Sequence, residues 1–143
     1  MTTDLDEAWT APPTAPASAA DRAAVEACVR DYYESWYAGD ADRMARTLHP
    51  ALAKRSFGQG IDRAPELDDT SYRDMVEATG SGRGVPRRGD RLDITVCEIG
   101  GGIASVVAAT EHYVDHLHLV ATPDGWRIVN ALWRWADGHG PRA

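Results

Sequence analysis

From Val25 onward, apolar residues recur at steps of three and four: Val25, Cys28, Val29, Tyr32, Tyr33, Trp36 and Tyr37. Arg22, Glu26, Arg30, Asp31 and Glu34 fall on the other side, so the spacing predicts an amphipathic helix with one wide inner stripe. Ser18 or Asp21 supplies its N-cap, Glu26 lies in its early turns, and Gly39 supplies its C-cap. Asp40 then caps a short second helix that carries Met44, Ala45 and Leu48 inward and stops at Pro50, which has no N–H to donate. Residues Ala51 to Ile61 read as a short strand or turn and Glu66 to Asp69 as loop. Thr70 or Ser71 caps a third helix through Tyr72, Met75, Val76 and Thr79, broken by Gly80, Gly82 and Gly84.

Beyond Leu92 the period changes from about 3.6 to 2. Leu92–Ile99 alternates cleanly, and Gly100-Gly101-Gly102 makes a turn. The run from Ile103 to Thr110 is almost wholly apolar with small residues, as in a strand covered on both faces. His112–Val120 then hairpins through Thr122-Pro123-Asp124-Gly125 into Gly125–Trp133. Helices first and antiparallel strands afterwards is an α+β layout, with N-terminal helices packed on one face of a curved, mostly antiparallel sheet.

Composition narrows the partners. The chain has 143 residues and a formal net charge of -7, and 43% of its residues are hydrophobic. This is enough for one domain with a real core. Its acidity disfavours nucleic acid as a partner, although Arg83, Arg87, Arg88 and Arg91 form a local run able to attract one anionic group. No apolar run approaches the roughly 20 residues that span a bilayer, so no membrane partner is expected. Residues 1–19, rich in Pro, Ala and Thr, are expected to form a tail without an export signal. Residues 20–137 form the single domain, and 138–143 a flexible C-terminus. A cytoplasmic, reduced protein follows, with Cys28 and Cys97 as packing residues.

Four strings occur together in order: Tyr32-Tyr33-Glu34-Ser35-Trp36-Tyr37-Ala38-Gly39-Asp40, Leu48-His49-Pro50-Ala51-Leu52-Ala53-Lys54-Arg55, His116-Leu117-His118-Leu119-Val120 and Gly125-Trp126-Arg127-Ile128-Val129-Asn130. In this spacing the chain, over roughly Ala20 to Ala136, resembles the putative lumazine-binding family of the nuclear transport factor 2-like superfamily, which also holds ketosteroid isomerases, polyketide cyclases and limonene-epoxide hydrolases. The resemblance implies a conical α+β barrel with a pocket between the helices and the concave sheet face, commonly dimeric through the sheet. One fold hosts unrelated activities, so function must be argued from the site.

Strand parity divides the candidates. His112, Val114, His116, His118 and Val120 share one face, while Tyr113, Asp115, Leu117 and Leu119 share the other. His116 and His118 are close enough in an H-x-H pair to meet one ion, but no third ligand is evident, and no metal or other cofactor is expected. Asn130, among apolar neighbours, either satisfies itself on the backbone or orients a carbonyl-bearing ligand. The helical stripe of Tyr33, Trp36 and Tyr37 serves as core or as the wall of a pocket for a planar ligand. His49 suits a helix C-terminus, and Lys54 and Arg55 are solvated charges or the holders of an anionic group. Trp133 and Trp135 are costly to expose on an open sheet, which points to a homodimer interface.

The leading expectation is a small-molecule-binding protein with an apolar, aromatic-lined pocket formed by Tyr33, Trp36, Tyr37, Asn130, His116 and His118. The alternative is a cofactor-independent isomerase, cyclase or epoxide hydrolase. Its base would come from His116, His118, His49 or Asp115, with Tyr33 and Asn130 as donors. A third reading is a dimerising interaction module. Phosphate-loop, dinucleotide, nucleophile-elbow and zincin signatures are all missing from the sequence.

Overall fold

The computed structural model describes residues 18–57 and 67–137; the expected N-terminal tail and C-terminal segment lie largely outside them. Among the described residues, three α-helices, α1 (Ala19–Ala38), α2 (Ala41–Ala45) and α3 (Tyr72–Gly80), pack on a six-stranded sheet of order β2-β1-β6-β5-β4-β3. The strands are β1 (Leu48–Phe57), β2 (Leu67–Thr70), β3 (Asp93–Gly100), β4 (Ile103–Ala109), β5 (Tyr113–Thr122) and β6 (Gly125–Trp135). Only β1 and β6 run parallel; every other neighbouring pair is antiparallel. The sheet is curved and open, with β2 and β3 as its edges.

The caps follow from local chemistry. Ser18 accepts the Asp21 N–H at 3.0 Å, and Gly39 closes α1 at φ 68°, where a side chain is strained. Asp40 caps α2 by accepting the Arg43 N–H at 3.1 Å, while Ser71 and Asp74 form a reciprocal capping box on α3. The inner stripe of α1 buries Val25, Val29, Tyr32 and Tyr33 against Val106, Leu117, Leu119 and Ile128 of the sheet.

Several expectations give way. Leu48 does not extend the second helix but opens β1, a ten-residue strand that includes Pro50. The β1–β6 register shifts between Leu48 and Ala53, so Pro50 occupies an irregular stretch where the ladder does not require its missing N–H. Residues 67–69, expected as loop, and Thr70, a candidate helix cap, pair with β1 as an exposed edge strand, and it is Ser71 that caps the helix that follows. The buried face of β4 carries Ala104, Val106 and Ala108; its other face is only partly covered. Cys28 is half-buried and its thiol points at the Thr47 and Trp126 carbonyls, with burial raising its pKa to about 12; Cys97 is exposed.

One irregularity decides the site. The β5–β6 register steps from His118↔Asn130 to Leu119↔Ile128, leaving Val129 as the extra residue of a bulge. Past this bulge the parity of β6 reverses, so Ala131, Trp133 and Trp135 join Ile128 on the helix side and Asn130 and Leu132 face out. The two tryptophans are half-buried and line the helix-side cavity rather than the outer face of the sheet.

Candidate functional site

Between the inner face of β1, β5 and β6 and the helices α1 and α3 lies a cavity of about 940 Å³. That volume sits in the range of small-molecule sites. Its floor and walls are set by strand register: Asp115 of β5 lies opposite Trp133 of β6, and Tyr113 opposite Trp135. Lys54 of β1 lies opposite Ala131 and Thr70. From α1, Tyr32, Tyr33 and Trp36 complete the wall, because Trp36 shares a helix face with residues three and four before it.

Asp115 is the centre of this arrangement. It is only 2% exposed, Tyr33 Oη donates to its Oδ2, and its Oδ1 is buried with no hydrogen-bond partner among the described residues. Burial raises the carboxyl pKa above the ordinary aspartate value; the Lys54 charge, the Tyr33 hydrogen bond and the His116 charge pull the other way. The same burial, reinforced by the Asp115 charge, lifts the Tyr33 phenol far above its usual range, so Tyr33 stays a donor.

Lys54 Nζ donates to Tyr32 Oη and lies 5.2 Å from the Tyr32 ring centroid and 5.6 Å from that of Trp133. Burial lowers its pKa, offset by Asp115 and Tyr113, and no carboxylate forms an ion pair with it among the described residues. Tyr113 Oη accepts the Trp36 Nε1–H at 3.4 Å, which leaves its own proton to point elsewhere. Tyr113, Trp133 and Trp135 form a mutually packed aromatic group, with centroids 5.2 to 5.5 Å apart. A carboxyl kept basic by burial, a cation and phenolic hydroxyls thus line one space walled by aromatic and charged side chains, the elements of acid–base chemistry.

The structure divides the sequence-derived candidates between two places. Tyr33, Trp36 and Asp115 line the cavity, and Tyr37 is buried in the core behind it. His116 and His118 lie exposed on the outer face of β5, and Asn130 meets His118 there, Nδ2 to Nδ1 at 3.3 Å. The reason is apolar burial: Leu117 and Leu119 occupy the other parity of β5, and covering them places both imidazoles outside. His49 sits on β1, where its Nδ1 accepts the Ala51 N–H at 3.0 Å. Lys54, Tyr113, Trp133 and Trp135 are additional cavity residues that the alternation alone did not select. Among the described residues, no group of three or more His, Cys, Asp or Glu is placed to hold a metal ion.

Comparison with known proteins agrees with this architecture. The chain matches the family model described as putative lumazine-binding over residues 20–134, and it belongs to that family. Among solved structures it is similar to a nuclear transport factor 2-like protein of unknown function from Silicibacter pomeroyi, at 18% identity and TM-score 0.65, covering 84% of this chain and 100% of that one. It is also similar to a protein described as a putative aromatic ring hydroxylase from Novosphingobium aromaticivorans, at 14% identity and TM-score 0.59, covering 83% of this chain and 91% of that one. A third, described as a putative dehydratase from Streptomyces avermitilis, shares 13% identity at TM-score 0.54, covering 82% of this chain and 96% of that one. At such identities the likeness defines the fold. No curated protein matches the sequence. No helix of the described residues is long and apolar enough to cross a membrane.

Proposed function

We propose that this protein binds a small, planar, carbonyl-bearing molecule in the cavity and transfers a proton on it with its own side chains, as an isomerase- or cyclase-type catalyst. The observation that carries this reading is Asp115, a buried carboxylate on the cavity wall with one oxygen held by Tyr33 and the other unpartnered. An unpaired buried oxygen costs stability, and a structural role gives no return for that cost.

In this reading the Asp115 carboxylate takes a proton from carbon α to the ligand carbonyl, while Tyr33 holds it in place through Oδ2. The Lys54 ammonium and the Tyr113 hydroxyl meet the oxygen on which negative charge develops. The protonated Asp115 then returns the proton to another carbon or to a leaving oxygen, which restores the carboxylate. The aromatic walls hold a flat ring. Lumazine, to which the family description points, is itself a planar ring system carrying carbonyl groups, so the family suggests the same shape of ligand. A pure binding protein would have the same walls, and turnover separates the two readings.

The test uses 2-tetralone, a flat aromatic ketone with exchangeable α-protons. In D2O the protein is expected to accelerate its α-deuteration, followed by proton NMR, above the buffer rate. Quenching of tryptophan fluorescence by the ketone without any acceleration would leave a binding protein and remove the catalyst.

A further inference from the structure

The charged groups around the cavity are not equally engaged. Of its carboxylates, Asp69 and Glu77 are paired with cations, Arg55 at 2.9 Å and Arg73 at 3.1 Å, while Asp74 accepts the Ser71 N–H at 3.4 Å and Asp115 the Tyr33 hydroxyl, both neutral donors. None of its three cations is paired with a carboxylate among the described residues, and Lys54 bonds only Tyr32. Arg83 and Arg87 line the cavity and form no ion pair among the described residues. The guanidinium of Arg87 rests 5.0 Å from the centroid of Trp135, at the end of the aromatic wall.

The position of Arg87 is built rather than incidental. It closes the 3-10 turn Val85–Arg87, in which Pro86 restricts the backbone. The turn can approach α1 because residue 84 is glycine, where an added Cβ would overlap the Trp36 carbonyl and indole. The stacked guanidinium is therefore held at a fixed place beside Trp135 and Tyr113, and its charge reaches the Tyr113 hydroxyl. In a chain of net charge -7, uncompensated positive charge on a cavity wall selects against cations and for anions.

We propose that the cavity takes planar organic acids, the carboxylate held at the mouth by Arg83 and Arg87 and the ring lying along Trp133 and Trp135, with its carbonyl end toward Asp115. Guanidinium suits this because its fork matches a carboxylate and its face stacks on indole. The inference rests on the small-molecule reading of the cavity for its location, but not on the proton transfer.

Titration of tryptophan fluorescence with 2-naphthoate and with its neutral isostere 2-naphthamide tests it on the unaltered protein. At low ionic strength the acid is expected to bind about ten-fold more tightly or better, with the margin shrinking as salt is added. In the double variant Arg83→Met/Arg87→Met, the acid should fall to the affinity of the amide while the amide is unaffected. Equal affinities in the wild type, or a preference that survives in the double variant, would overturn the assignment, as would binding of neither compound. Asp115→Asn separates the two readings: acid preference should persist in it whether or not 2-tetralone exchange is lost, and loss of preference alone leaves the exchange reading standing.

Discussion

Replacing Asp115 by Asn is expected to lower the α-deuteration rate of 2-tetralone by about 10²- to 10⁴-fold, the usual contribution of a positioned general base. Asn keeps an acceptor for Tyr33 and nearly the same volume, so the wall is retained and only the proton acceptor is lost. The same variant is expected to be more stable at neutral pH. Burial raises the Asp115 pKa, so the folded chain holds a proton at pH values where the unfolded chain has released it. Stability therefore falls as pH rises from the unfolded aspartate value, about 3.9, through the folded one. Asp115→Asn removes that penalty. Its Tm should exceed the wild-type value by several degrees at pH 8, where about 1 kcal/mol corresponds to roughly 3 to 5 °C, and the gap should close toward pH 4. Loss of activity with gain in stability is the mark of a group kept for chemistry. Equal exchange rates in the two proteins would remove Asp115 from the mechanism.

Tyr33→Phe has the second large effect, and it acts through Asp115. The phenol is the carboxylate's one hydrogen-bond donor among the described residues, so its loss leaves both oxygens unpaired and should cost about 1 to 3 kcal/mol of stability. The Tyr33 hydrogen bond favours the charged carboxylate; without it the Asp115 pKa rises further. The acidic limb of the pH–rate profile should then move to higher pH, with activity recovering as pH is raised. A purely structural tyrosine would lower stability without moving that limb, so the pH profile distinguishes the two roles.

The fold was largely legible from local chemistry. Ser18, Gly39, Asp40 and Ser71 act at helix ends as their side chains and backbone preferences dictate, and the Pro123-Asp124-Gly125 turn joins the hairpin. The site was less so. Alternation on β5 separates Tyr113, Asp115, Leu117 and Leu119 from Val114, His116, His118 and Val120, but both sets mix apolar and polar residues, and alternation does not state which faces the helices. Leu117 and Leu119 are bulkier than Val114 and Val120, and that difference in buried area could have pointed to Asp115. The bulge at Val129 carries no glycine or proline to mark it, yet it turns Trp133 and Trp135 into the cavity and Asn130 out of it. Lys54 fell in the Ala51 to Ile61 stretch that read as a short strand or turn, with no regular alternation to set it beneath Tyr32.

The central claim is that the fold keeps Asp115 as a carboxyl tuned to exchange a proton inside the cavity. Carbon-13 NMR of the aspartate side-chain carboxyls, with Asp115→Asn to assign the resonance, reads this directly as a function of pH. The midpoint for Asp115 should lie above the ordinary aspartate value of about 3.9 and rise further in Tyr33→Phe. A midpoint at or below that value, unmoved by the loss of the phenol, would contradict it.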